Sequence, residues 1–207
     1  YAASNLILCN SFGLNEISLF KSIDLKKNRG QINWLPSKKK CGYKEIISDG
    51  GYLIPDVNGF DVFGSTYERD NENKNLSMTD FKKNLKTYQK LSGDKIEKND
   101  ISNAGWVGWR AVTPDRTPYV GQILDESKGI CNKSRSIKDL KWHPNLFINV
   151  GYGSRGYTLA PFLSKCLASL INRSQTPEEK EILNYLNPSR NLIKKMGLRK
   201  KMLENSI

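Results

Sequence analysis

Histidine is nearly absent from this 207-residue chain, with His143 alone in a Trp-His-Pro-Asn run that reads as a turn before a strand. Four cysteines, Cys9, Cys41, Cys131 and Cys166, share no metal-ligand spacing, so no metal site is expected. Cys9 and Cys166 sit in apolar contexts and read as core fillers. No apolar run reaches the length of a membrane span and no signal peptide is visible, which implies a cytoplasmic protein with reduced thiols and no membrane partner. A Ser/His/Asp set, a phosphate-loop lysine motif and a histidine cluster are also missing, which removes most hydrolases, NTPases and metalloenzymes. Acidic residues are short in number, 21 Asp and Glu against 33 Lys and Arg. The resulting net charge of +12 points toward a polyanionic partner such as nucleic acid.

The most informative stretch that is present runs from Leu146 to Ile171. LFINV has the pattern of a buried strand, GYGSRG of a tight turn, and YTLAPFLSKCLASLI of an amphipathic helix. Such a turn aims backbone N–H groups and the positive end of a helix dipole at one spot, which suits an anion. Gly151, Gly153 and Gly156 are suited to positive φ or to close approach of a ligand. The spacing fits a cofactor cradle and an ordinary strand-to-helix connection equally well, since it does not match a dinucleotide fingerprint. Leu159, Phe162, Leu163, Cys166, Leu167, Leu170 and Ile171 share one helical face, with Pro161 placed in the first turn.

Elsewhere, NLILC at 5–9 reads as a buried strand, followed by a turn at 10–13 and a short helical or loop stretch at 17–25. Arg29 opens a further strand through Trp34. The segment from Gly50 to Asp70 reads as a hairpin turning at Asn58-Gly59. Ser77 caps a helix whose Phe81, Leu85, Tyr88 and Leu91 face a sheet. A strand at 104–110 carries Trp106 and Trp109, 113–118 is a proline-rich turn, 119–123 is extended, and 125–139 has loop composition. Thr176-Pro177-Glu178-Glu179 opens a helix through Leu186. The fold class expected is α/β, as an α+β piece: a mainly antiparallel substrate-side sheet with a strand-turn-helix returning to a cofactor layer. The regions expected are 1–15, 16–145, 146–187 and a basic tail at 188–207. A chain opening on Tyr-Ala-Ala-Ser and at once on a strand suggests a piece of a longer polypeptide.

Arg190, Lys194, Lys195, Arg199, Lys200 and Lys201 crowd beside Leu192, Ile193, Met196 and Leu198, forming a basic amphipathic end suited to phosphates. Two other arginines stand beside turns. Arg110 ends the Trp-rich strand and Arg155 lies within the glycine turn. Either is able to hold a carboxylate through a bidentate pair, or to serve as a surface salt bridge.

Three blocks in order, GGYLIPDVNGFDVFGSTYERD, GWVGWRAVTPDRTPYVG and NLFINVGYGSRGYTLAP, resemble the C-terminal half of the FAD-dependent amine and amino-acid oxidoreductases related to D-amino-acid oxidase and glycine oxidase. NLILCNSFG resembles the strand and turn closing that family's dinucleotide-binding region, and Arg29-Gly30-Gln31 its RGQ motif. GSTYERD, TPDRTPYVG, GSRGYTLAP and NPSRNLIKK are most similar to its bifunctional tRNA-modifying branch.

The resemblance implies FAD as cofactor, contacted by Gly151, Tyr152, Gly153, Ser154, Arg155, Gly156, Tyr157 and Thr158, with Arg29 added by the RGQ likeness. It implies Arg110 for a glycine-like substrate carboxylate, Arg155 close to carboxylate and flavin, and tRNA as partner. The reaction implied is oxidative removal of the carboxymethyl group from 5-carboxymethylaminomethyl-uridine at the wobble position, releasing glyoxylate. A methyltransferase using S-adenosylmethionine would lie outside these residues, as would the family's GxGxxG. A glycine- or sarcosine-type amine oxidase and a non-catalytic nucleic-acid-binding module are the alternatives.

Overall fold

A computed structural model describes residues 2–20, 22–37, 44–96, 104–128, 136 and 139–204. Cys41 and Cys131 lie outside the described residues, as does most of the loop expected at 125–139. The chain divides into two units, one formed by Tyr1–Lys26 with Ala111–Ile207 and the other by Lys27–Arg110. The crossings fall near the start of one long strand and near the end of another, not at the region boundaries read from the sequence.

The first unit holds a three-stranded sheet in the order β1 (Leu6–Leu8), β9 (Trp142–Val150), β8 (Tyr119–Leu124). β1 pairs parallel with β9, and β9 antiparallel with β8. Strand alternation sends Ile148 and Val150 to one face, where they meet Leu14, Phe20, Ile23 and Leu25, and Phe147 to the other, where it meets Leu163, Cys166, Leu167, Leu183 and Leu186. The second face is covered by α2 (Gly156–Ile171) and α3 (Pro177–Leu186), whose Thr176/Glu179 capping box is complete. The basic end folds into α4 (Arg190–Lys195) and α5 (Arg199–Glu204), with Ile193, Leu198 and Met202 buried against Leu124 and Leu140.

Five local expectations give way here. β1 is an edge strand with Leu6 and Ile7 exposed, because within the described sheet it has a neighbour on one side only. Cys9 is exposed, whereas Cys166 is in the core. Phe162 points out to solvent and Pro161 stands beyond the first turn of α2, since that helix starts at Gly156. His143 lies inside β9, which begins at Trp142.

The second unit is a mainly antiparallel sheet in the order β3 (Ile47–Ser48), β4 (Tyr52–Val57), β5 (Phe60–Gly64), β2 (Lys26–Pro36), β6 (Glu68–Arg69), with β7 (Gly105–Val112) also paired to β2. Asn58 and Gly59 both have positive φ, 52° and 86°, which is the turn geometry that matches strand twist in a two-residue hairpin. α1 (Met78–Ser92) starts at its Ser77 cap and lays Phe81 and Tyr88 onto Leu35, Leu53 and Phe63.

The pleat of β2 decides what faces α1. Arg29, Gln31, Asn33 and Leu35 are buried on the helix side, while Gly30, Ile32 and Trp34 take the opposite face. On β7, Gly105 faces Asn33 and Leu76, so Trp106, Gly108 and Arg110 belong to the face away from α1.

Candidate functional site

In the first unit the turn after β9 is built as the glycines suggest. Gly151 has φ +82° and Gly153 φ +57°, both left-handed, and a Cβ at Gly151 would stand 2.7 Å from Cγ2 of Thr113. Gly156 differs: it has no positive φ and is the first residue of α2. The Gly153 N–H donates to the Ala111 carbonyl at 2.9 Å, and the Arg155 N–H to the Tyr152 carbonyl at 3.0 Å. No side chain caps the N-terminus of α2, so its first-turn N–H groups receive no side-chain acceptor from the capping position.

Tyr152 donates its hydroxyl to Oδ1 of Asn149, and Asn149 donates to Oγ of Ser164 at 3.0 Å. Burial pushes the Tyr152 phenol up to about 12, so it stays a neutral donor. Ser154, Arg155, Tyr157 and Thr158 are exposed. No ion pair of Arg155 occurs among the described residues. A narrow glycine turn leading to an uncapped helix end fits a cofactor with acceptor oxygens or developing negative charge, as FAD has.

In the second unit three arginines are separable by their partners. Arg29 is 1% exposed, and its guanidinium donates to Asp80, to Glu68 at 3.4 Å, to the Asn73 and Asn75 carbonyls at 2.7 Å each, and to Gln31 at 3.3 Å. All of its donors are spent inside the chain, which corrects its assignment to the cofactor. Burial would raise the Asp80 carboxyl, but hydrogen bonds from Arg29 and Lys83 outweigh it and hold that carboxyl below its ordinary value.

Arg110 is different. Its Nη2 donates to Oγ of Ser65 at 2.6 Å, its Nη1 lies 3.5 Å from the Thr66 carbonyl, and its guanidinium carbon stands 5.7 Å from the centre of the Tyr67 ring. No carboxylate pairs with it among the described residues. A Cβ at Gly30 would lie 2.3 Å from its Nη1. Tyr52 stands close enough to feel the guanidinium: burial raises its phenol and the Arg110 charge partly offsets this. An arginine held by neutral groups, with donors left over, is chemically able to take an external carboxylate.

In the basic end, Arg190 is also corrected. It is buried, grips Asp115 through Nε and Nη2 at 2.8 and 2.7 Å, donates to the Thr117 and Pro118 carbonyls, and lies 4.2 Å over the Tyr119 ring. It braces the 113–118 turn and has no donor for a phosphate. Arg199 donates to the carbonyls of Asn184 and Tyr185 and stacks on Tyr185, which ties it to the end of α3. Lys194, Lys195, Lys200 and Lys201 remain exposed.

Sequence reasoning missed Gly30, Tyr52, Ser65 and Tyr67 as neighbours of Arg110. The signal is partly there, since Ser65 and Tyr67 lie within GSTYERD and Gly30 within the RGQ motif.

The class follows from these features together: the chain belongs to the FAD dependent oxidoreductase family, whose profile matches residues 2–170. FAD is the cofactor of that family. Among curated proteins, the chain is 32% identical over 193 residues to the tRNA 5-methylaminomethyl-2-thiouridine biosynthesis bifunctional protein MnmC of Pseudoalteromonas atlantica, covering 88% of this chain and 27% of that protein. It is 28% identical to the same-named protein of a Marinomonas species, covering 92% of this chain and 32% of that one. The chain thus spans about a third or less of these relatives. Among solved structures it is similar to glycine oxidase from Bacillus cereus, with TM-score 0.62, 19% identity and coverage of 83% and 43% of the two chains. It is also similar to L-proline dehydrogenase from P. horikoshii, with TM-score 0.68, 17% identity and coverage of 90% and 46%. Those two likenesses concern the fold, and they agree with the α/β architecture of antiparallel sheets and helices found here.

Proposed function

We propose that this chain is the substrate-side and C-terminal FAD-contacting part of an oxidoreductase that removes the carboxymethyl group from 5-carboxymethylaminomethyl-uridine in tRNA. The observation that carries the reading is Arg110, a guanidinium held by Ser65 and Tyr67 with no internal carboxylate partner among the described residues. The tRNA-modifying role named for the curated relatives supports tRNA as the substrate class.

On this reading Arg110 anchors the glycine-like carboxylate and orients the adjoining CH–NH bond. Gly151 to Thr158 hold the cofactor, with the backbone N–H groups at the start of α2 directed to its acceptor atoms and Arg155 beside it. FAD, when bound, accepts the two electrons removed from the carbon next to nitrogen. Water then hydrolyses the imine of the substrate, giving glyoxylate and the aminomethyl base. Lys194, Lys195, Lys200 and Lys201, with Arg199 alongside, meet the tRNA backbone in the cytoplasm. A methyltransferase domain using S-adenosylmethionine would complete the larger enzyme and lies outside this chain.

The test is anaerobic bleaching of flavin absorbance in the full-length FAD-loaded protein, with carboxymethylaminomethyl-tRNA beside free glycine and sarcosine. Bleaching by the tRNA supports the reading. Bleaching by the small amines alone replaces it with a small-molecule amine oxidase, and tRNA binding by a protein that retains no flavin replaces it with a binding module.

A further inference from the structure

Along β7 the residues Trp106, Gly108 and Arg110 occupy one face of the sheet at every second position. A Cβ at Gly108 would lie 2.1 Å from Cη2 and 2.3 Å from Cζ3 of Trp106, so the indole is laid across the Gly108 backbone, along the strand toward Arg110. On the paired strand β2, Gly30 plays the same part for Arg110, whose guanidinium occupies the space of the missing side chain. Two glycines therefore leave room on one face of the sheet, one for an indole and the other for a guanidinium. Trp106 is 61% exposed.

So large an apolar side chain left open on the face that also carries Arg110, a cation with no carboxylate partner among the described residues, is not core packing, and its ring is available for stacking. We infer that Trp106 is a specificity-determining residue: its indole is the stacking platform for the planar pyrimidine ring whose carboxymethylamino arm ends at Arg110. This inference rests on the function proposed above. A free amino acid has a carboxylate and an amine but no ring, so it gains nothing from the platform. A base joined to the same arm gains the stacking, which is sequence-tolerant and substantial for nucleic-acid bases on aromatic side chains.

The test uses the full-length FAD-loaded protein and three forms of it: wild type, Trp106→Leu and Gly108→Ala. The quantity read is the ratio of kcat/KM for carboxymethylaminomethyl-tRNA to that for sarcosine, with affinity for a modified over an unmodified anticodon stem-loop as a second measure. Trp106→Leu is expected to lower the ratio about tenfold or more, mainly through KM for the tRNA, and to erase most of the preference for the modified stem-loop. Trp106→Phe should recover part of both. Gly108→Ala keeps the indole but displaces it from the Gly108 backbone, and should lower the ratio in the same direction. If wild type oxidises the tRNA and Trp106→Leu leaves the ratio within twofold, the platform is wrong while the function stands. If wild type oxidises sarcosine and ignores the tRNA, the function falls and the platform with it.

Discussion

Gly30 and Arg110 are mutually dependent, because the Cβ that any other residue would carry at position 30 falls 2.3 Å from Nη1 of Arg110. The crowded atom is the far end of a flexible side chain, so an alanine there moves the guanidinium more than it unsettles the sheet. Gly30→Ala is expected to raise KM for the carboxylate-bearing substrate on the order of tenfold, with a melting temperature close to wild type. Arg110→Lys should lose more than this, since an ammonium cannot reproduce a forked pair. Steady-state kinetics of both variants with a full thermal scan check the pair; unchanged KM in both would remove Arg110 from the site.

The cradle makes a sharper demand at Gly151 than at Gly153. Position 151 combines φ +82° with a neighbour 2.7 Å away, whereas a Cβ at 153 finds 3.5 Å to Val112 and suffers from φ +57° alone. Gly151→Ala is expected to cost about 1–3 kcal/mol from backbone strain and to lower flavin occupancy in the purified holoenzyme. Gly153→Val is also expected to lose flavin, through the β-branched side chain at positive φ. Visible absorbance relative to protein absorbance reads the occupancy; full occupancy in both variants would count against the cradle.

Asp80 links stability to acid. Its carboxyl is buried yet held below the ordinary value by Arg29 and Lys83, so it is depressed in the folded state. A depressed carboxylate contributes stability that is complete above the unfolded value of about 4 and is lost as pH falls through the folded value. Asp80→Asn leaves Arg29 buried with only the longer Glu68 pairing and is expected to cost about 3 kcal/mol at neutral pH. The loss should shrink toward acid, which denaturant melts between pH 7 and pH 3 would show; a constant penalty would mean that the ion pair is not its source.

The basic end divides into a brace and a face. Arg190→Ala should destabilise by about 2 kcal/mol, less than a fully buried pair because Asp115 is 43% exposed. It should leave the salt dependence of tRNA binding as it was. Replacing Lys194, Lys195, Lys200 and Lys201 with glutamine should flatten that dependence by roughly one unit of log–log slope for each phosphate that is no longer neutralised, with little change in melting temperature. An unaltered slope would return these lysines to the role of a solvated surface.

Much of the scaffold was legible in the sequence because local rules act there. The Asn58-Gly59 hairpin, the Ser77 cap with Phe81 and Tyr88 at helical spacing, the Thr176 capping box and the strand-turn-helix at 146–171 follow from turn chemistry, periodicity and capping within a few residues. The glycine turn was visible for the same reason, whereas Arg110 stood out locally only as an arginine beside a turn and took its expected role from the family resemblance. What tertiary structure alone decided is where each charge spends its hydrogen bonds. Arg29, Arg110 and Arg190 look alike in sequence, each next to a turn or a polar run. The partners of Arg29 lie 39 and 51 residues away, and that of Arg190 75 residues away. Those long-range carboxylates turn two of the three into internal braces and leave the third to face outward, and no local pattern encodes a pairing that only chain folding brings within reach.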